Sequence, residues 1–511
     1  MNPIATMRYS LLVLTVISAI ALLSAPAQAQ FTLVKISVDH FTNADSVHKT
    51  EVEPDIFAWG STLVSTFHVA RRPGSIGWGS ADVGFSTSTD GGKTWKYGVL
   101  PDLTVNYKDG AYGAAADPSV AYDAKHGEWL ISTLPLVGLN PESNYIGDVA
   151  VSRSKDGLHW SKPVPVDTTH LDDKNWTVCD NTSTSPYYGN CYTEWDQAYG
   201  SGDVLMSTSK NGGKTWGPGK PSADQARGLG GEPLVQPNGT VVVPYEGSCN
   251  QNRSSGICAF SSTDGGKTWQ TSVLVSSIDS HGDAGNIRNP NLPSAQVDGA
   301  GTVYVVWDDC RFRSGCTAND IVMSTSSDGS KWSVPARIPI DGVKSGVDHF
   351  LPGIGVDPTT SGNTANLTVV YYYYPVSNCS GNCQLDVGFV TSQDGGSTWT
   401  KWQQLAGPMQ LTWLPLSDNG YMVADYIGVT YTNGNPFGVF AVATAPAKDG
   451  TLHEAMYTTQ EPLFAAAGAP RFSSKGEKPV PGAKSDHELK FYLDDAQHIV
   501  LKQTKPEANH R

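Results

Sequence analysis

The octet Ser88-Thr-Asp-Gly-Gly-Lys-Thr-Trp95, STDGGKTW, recurs letter for letter at Ser262 to Trp269. Four weaker copies lie between and beyond them: Ser154 to Trp160, Ser209 to Trp216, Ser326 to Trp332 and Ser392 to Trp399. The six tryptophans are spaced 65, 56, 53, 63 and 67 residues apart, about the length of one four-stranded sheet with its loops. Each copy follows a strand-like run such as Asp203 to Ser209, so each is expected to be a turn between two strands. The chemistry of a turn accounts for the spelling. Asp (Asn211 in one copy) accepts bonds from nearby backbone N–H groups, Gly takes positive φ, Ser adds a second local bond, and Trp anchors the turn by burial. Six equivalent sites spread along a repeat, five aspartates and one asparagine, read as scaffolding rather than as catalytic acids.

Ser-x-Asp-x-Gly-x-Thr-Trp resembles the Asp-box, or BNR repeat, of the sialidase superfamily. The resemblance covers Ser86 to Trp399 and implies an all-β fold, a β-propeller of four-stranded antiparallel blades. Asp-box propellers include hydrolases, lyases and binding proteins, so the motif speaks to fold more than to activity. Strand pairs before each box, with a seventh pair at Tyr426 to Tyr431 and Phe437 to Ala443 that lacks a box, favour seven blades over six. Val34 to Asp39 reads like the fourth strands Pro163 to Asp167 and Arg337 to Asp341, so an N-terminal strand is expected to close the last blade.

The chain has 511 residues and a formal charge of −14. Arg8, an apolar run from Leu11 to Leu23 and Ala27-Gln-Ala29 read as a signal peptide over residues 1–29. The expected organisation is therefore this segment, a repeat domain over 30–461 and a C-terminal linker and tail over 462–511, with short strand candidates at Glu488 to Leu493 and His498 to Lys502. Removing the segment takes one arginine and no acid, which argues against nucleic acid as a partner, and no membrane association is expected after cleavage. The eight cysteines fall as close pairs, 179 with 191, 249 with 258, 310 with 316 and 379 with 383. They suit local disulfides in an exported, secreted or periplasmic protein better than zinc ligands.

The expected site lies on the face opposite the boxes, where the connections between blades run. Its rim is read as Glu53, Asp55, Asp117, Asp173, Lys174, Glu232, Arg288, Asn289, Asn291, Asp348, His349, Asp425 and Tyr426, with Arg71, Arg72, Arg227, Arg311 and Arg313 nearby. A sialidase needs an arginine group for the sugar carboxylate, a Tyr nucleophile activated by Glu, and an Asp that handles the leaving-group proton. The resemblance thus assigns Arg227, Arg288 and Arg311 to the substrate carboxylate, Tyr426 as nucleophile, Glu232 or Glu246 as its base and Asp55 as proton donor, with Asp348 and His349 as further substrate contacts. One departure is plain: where the family opens its first blade with Arg-Ile-Pro, this chain has Glu51-Val-Glu-Pro-Asp55, and Arg337-Ile-Pro339 lies in a fourth strand away from the pocket. A carboxylate-rich rim also suits a neutral glycan with a two-carboxylate mechanism, or a structural Ca²⁺, although no cofactor or metal ligand set is required. The expected partner is a glycan. The function expected is a glycoside hydrolase, exo-α-sialidase being the named activity; the alternative is a non-catalytic glycan- or protein-binding module, in which aromatics such as Trp78, Trp307 and Tyr371 to Tyr374 would dominate. That tyrosine run is expected to bury alternate residues.

Overall fold

The computed structural model describes residues 31–73, 78–137, 146–169, 172–197, 201–249, 254–465 and 468–480. The signal segment and the two distal strand candidates lie outside the described residues. Within them the regular secondary structure is antiparallel strand, apart from three single-turn 3₁₀ segments.

The expectation of a closed β-propeller of seven four-stranded blades is corrected. Among the described residues the strands fall into eight sheets, of nine, five, four, four, four, four, two and two strands, with no closed sheet or propeller among them. The largest departure is the nine-stranded sheet, which unites the two repeats expected to be separate at the start of the chain. Strand Ser80–Ser88 pairs with Ala114–Asp123 through Ser80 and Ala115. Gly79, at φ 77°, permits this approach, because a Cβ there would lie 2.8 Å from the Ala115 carbonyl oxygen. The N-terminal strand Leu33–Lys35 pairs with His453–Thr459, whose sheet also holds Asn435–Thr444 and Gly428–Thr432. A short strand beyond the repeats, Arg471–Ser473, pairs with Thr398–Thr400 in the sixth box.

The box turns owe their shape to local bonds. In the second exact copy, Asp264 Oδ1 accepts from the N–H groups of Lys267 and Thr268, both at 3.0 Å, and Oδ2 from Thr268 Oγ1 at 2.6 Å. Ser262 Oγ donates to Asp264 and accepts from Gly266 N. The first copy repeats these bonds around Asp90.

The first strands of several sheets lie alongside one another: Asp55–Trp59 beside Ala114–Asp123 and Gly428–Thr432, and Ala114–Asp123 beside Asp173–Cys179. Buried side chains tie them by accepting a neighbour's backbone N–H. Asp55 Oδ2 takes Val120 N at 2.8 Å, Ser119 Oγ takes Thr177 N at 2.9 Å, Glu232 Oε2 takes Ala295 N at 2.8 Å, and Ser294 Oγ takes Ile354 N at 3.2 Å. Each bond satisfies a buried donor that would otherwise be costly.

Both faces of the sheet holding Leu367–Tyr374 are covered, so all four tyrosines of the run are buried rather than alternate ones. Tyr371 and Tyr373 pack with Tyr304, Met323 and Ile338, and Tyr372 and Tyr374 with Val387 and Phe440. Four disulfides join Cys179 to Cys191, Cys249 to Cys258, Cys310 to Cys316 and Cys379 to Cys383. Among the described residues no helix is long and apolar enough to cross a membrane.

Candidate functional site

Irregular backbone at the entries of the first strands aims charged side chains into one recess. Glu53, Asp117 and Lys174 all have positive φ, at 55°, 43° and 39°, a conformation that non-glycine residues adopt at a cost. The strand register also shifts between Ala116 and Ser119 and between Asp173 and Trp176. Bulges of this kind redirect a side chain out of the regular alternation. Here they bring Asp117 and Lys174 to the same point.

Lys174 is the centre of the cluster. Its Nζ lies 2.5 Å from Asp117 Oδ1, 2.8 Å from Asp425 Oδ2 and 3.5 Å from Glu53 Oε1. Burial works against its charge, but the three carboxylates outweigh it and hold the ammonium well above its ordinary range. Arg288 grips Asp425 from the other side with two parallel bonds, Nε to Oδ1 at 2.6 Å and Nη2 to Oδ2. Asp425, despite its burial, is therefore held far below the usual carboxylate range by Arg288 and Lys174.

His68, Arg71, Arg288, Trp78 and Asp173 line the recess with Glu53 and Asp117. Arg71 donates from Nη1 to the Gly79 carbonyl and packs its Nε against Met422 Sδ; burial and the neighbouring Arg288 charge both push its pKa down. His68 Nε2 lies 2.9 Å from Glu53 Oε2 and 2.8 Å from the Asp117 amide nitrogen. Asp173 stands partly exposed in the wall, with Oδ1 accepting the Lys174 N–H at 2.9 Å. Desolvation, then repulsion from Asp117, raises its pKa to about 7 against the pull of Lys174 and Arg288. The recess thus combines two neighbouring guanidinium groups with a carboxyl group that exchanges its proton near neutrality.

Of the rim residues read from the sequence, Glu53, Asp117, Asp173, Arg71 and Arg288 line this recess; of those given a catalytic or substrate role, Arg288 alone is among them and Tyr426 stands next to it. The Tyr426 ring lies 4.9 Å from Lys174 Nζ and edge-on to Trp176, and its hydroxyl donates to the Pro118 carbonyl at 3.1 Å. Burial and the surrounding carboxylates raise its pKa well above the ordinary value. Asp55 and Glu232 are buried and engaged with backbone as described above; desolvation raises Asp55 to about 7 and lifts Glu232 well above its ordinary value. Glu246 is half-buried in the strand Val241–Cys249, opposite Leu229 and Ile257. The structure does not bring Arg227 or Arg311 to the recess: Arg227 is exposed 3.4 Å from Asp203, and Arg311 is clamped on Asp309 at 2.6 and 2.8 Å. Asp348 accepts the Asn319 N–H at 2.6 Å, and His349 lines a different pocket. His68 and Asp172 were not singled out in the sequence, because nothing in the strand Thr62–Arg71 marks where its histidine points.

Among the described residues, besides Asp123 beside the disulfide-bonded Cys179 and Cys191, two groups have the geometry of metal ligands. Glu53, His68 and Asp117 bring donor atoms within 4.8 Å of one another, as do Asp320, Asp341 and His349. In the first group Lys174 is the cation already seated on the carboxylates; in the second, Arg313 and Arg337 fill that role.

Residues 146–353 match the model of the BNR repeat-like domain. That stretch of the chain is similar to the BNR-repeat family, in keeping with the boxes it contains. No curated protein matches it in sequence. Among solved structures, the chain is similar to a protein of unknown function from Dyadobacter fermentans, at 15% identity and TM-score 0.44 over 72% of this chain and 100% of the other. It is similar to an intramolecular trans-sialidase from Ruminococcus gnavus, at 14% identity and TM-score 0.38 over 79% and 92%. It is also similar to an α-L-arabinofuranosidase from Fusarium graminearum, at 17% identity and TM-score 0.40 over 67% and 92%. At such identities and scores these likenesses carry no activity across, and function has to be argued from the recess itself.

Proposed function

We propose that this protein is an exported glycoside hydrolase that works in the Asp173 recess on a sugar bearing an anionic group. The observation that carries the reading is Asp173, a wall carboxyl group raised to about 7, in the same recess as Arg71 and Arg288. Guanidinium groups recognise carboxylate or sulfate bidentately, and a carboxyl group protonated near neutral pH can deliver a proton to a departing glycosidic oxygen. In that reading Arg71 and Arg288 orient the anion, Asp173 is the proton donor, and the Lys174 cluster fixes the Arg288 and Asp117 side chains in place. Exo-α-sialidase is the finer activity proposed, with Tyr426 as the adjoining candidate nucleophile. Four disulfides support export, and residues 1–29 are proposed as the segment that directs it.

A binding role without catalysis is the second reading, favoured by the pairing of Arg288 with Asp425, which leaves less of its charge for a substrate. The test is a panel of chromogenic glycosides that includes a sialoside, run beside a glycan array. Turnover that is lost in Asp173→Asn supports the hydrolase; an array signal with no turnover of any glycoside transfers the recess to the binding reading.

A further inference from the structure

A second pocket, of about 240 Å³, opens beside the sheet that begins at Asp348, on residues that the recess does not use. The half-buried Trp402 forms part of its lining, backed edge-on by Tyr373 at 5.6 Å between ring centres. Deeper in, Tyr371 is buried with its hydroxyl lacking a hydrogen-bond partner. The space Tyr371 occupies depends on Gly388, where a Cβ would come within 2.9 Å of the ring. A buried tyrosine hydroxyl ordinarily finds a partner, so this one points to a polar group supplied from outside the chain.

The polar lining is preorganised and rich in acceptors. Gln384 and Gln404 each donate an amide N–H to Asp386, at 2.7 and 2.9 Å, which fixes the amides and leaves their oxygens as acceptors. His349 donates from Nδ1 toward the Asn319 carbonyl at 3.2 Å, which makes Nε2, 3.8 Å from Asp341 Oδ2, the acceptor nitrogen of the neutral ring. Among the described residues the lining carries no lysine or arginine, and Arg313 and Arg337, which bear on its Asp341, are spent on Asp320 and Asp341. The lining therefore pairs an aromatic surface with acceptors and one unused donor.

We propose that this pocket is a second carbohydrate site that takes a neutral hexopyranose, stacked on Trp402, with its hydroxyl hydrogens donated to Gln384, Gln404 and His349 and one oxygen accepting from Tyr371. A pyranose matches both halves of the lining, since its C–H face packs on an indole and its rim carries hydroxyl groups that give and accept. The inference does not rest on the hydrolase reading, because the two sites share no residue.

The test is titration of the full chain with methyl α- and β-hexopyranosides of the gluco, galacto and manno series, followed by tryptophan fluorescence and saturation-transfer NMR. Tetramethylammonium chloride serves as the probe for an aromatic cation cage. The expected result is saturable binding of at least one hexoside, weakened about tenfold by Trp402→Ala and several-fold by Tyr371→Phe. Gln384→Ala, on the exposed rim, provides a variant that tests the site without touching the core. The proposal is overturned if the unmodified protein binds none of these hexosides, if tetramethylammonium binds and they do not, or if affinity survives in both folded Trp402→Ala and Gln384→Ala.

Discussion

Asp264 and Asp173 are both loop-end aspartates, and their surroundings push them in opposite directions. At Asp264 slight desolvation is outweighed by bonds from the Thr268 hydroxyl and N–H and from Ser262 and Lys267, which lower its pKa to about 2. At Asp173 burial and repulsion from Asp117 outweigh the Lys174 N–H bond and the Lys174 and Arg288 charges, and the pKa rises to about 7. The first is a scaffold group and the second a candidate for chemistry. Asp264→Ala is expected to cost about 1 kcal/mol by removing a local cap, seen as a lower denaturation midpoint with unchanged ligand affinity; a loss of turnover at unchanged stability would contradict that assignment. Asp173→Asn should keep the fold and lower kcat/KM by about 10²-fold or more. In the unmodified protein any turnover should decline as pH rises through about 7, because the proposed proton donor is then ionised. An alkaline limb that persists at the same pH in Asp173→Asn would assign that limb to another group.

At the scale of elements, the box turns were legible because every bond that shapes them lies within the motif, as between Asp90 and Thr94. The cysteine pairs were legible for the same local reason. Sheet composition was not, since the merger of two repeats rests on one contact between residues far apart in sequence, Ser80 with Ala115. The site was legible in part. Strand entries could be located, which brought out Glu53, Asp117, Lys174, Arg288 and Asp425, but bulges and positive φ decide where those side chains point, and neither has a signature at Asp117 or Lys174. The first strand offers a direct test at this scale. Leu33, Val34 and Lys35 pair with Thr459, Thr458 and Tyr457, and Ser37 donates to Glu51 and accepts from Met456 N at 2.8 Å. Deleting residues 31–39 exposes the edge of His453–Thr459 and strands the buried Glu51, so the melting temperature should fall by several degrees, about 5 °C or more. An unchanged melting temperature would show that this pairing contributes nothing to the stability of the sheet.

At the scale of the whole described chain, buried acids set the response to pH. Desolvation is the leading cause at each: Asp55, Asp82 and Asp173 rise to about 7, and Glu51 and Asp172 to about 8. Unfolding returns these groups to ordinary carboxylate values near 4. Between about pH 4 and pH 8 the folded state therefore binds more protons than the unfolded state. Stability from these groups is complete below the unfolded value and is lost as pH rises through the folded ones. The acids with lowered values, such as Asp90 and Asp264 at about 2, act the other way, but only below about pH 4, so they do not oppose the trend between pH 5 and 8. The net charge of −14 adds self-repulsion in the same direction as carboxyl groups ionise. The melting temperature is expected to be higher at pH 5 than at pH 8 by about 5 °C or more. Asp82→Asn, which replaces a group bonded to Thr104 Oγ1 and Val83 N and distant in function from the recess, should flatten part of that slope while leaving the pH profile of turnover in place. A melting temperature that stays level or rises from pH 5 to 8 would mean that these carboxyl groups are solvated in the folded protein, and the proton-donor role of Asp173 would lose its physical basis with them.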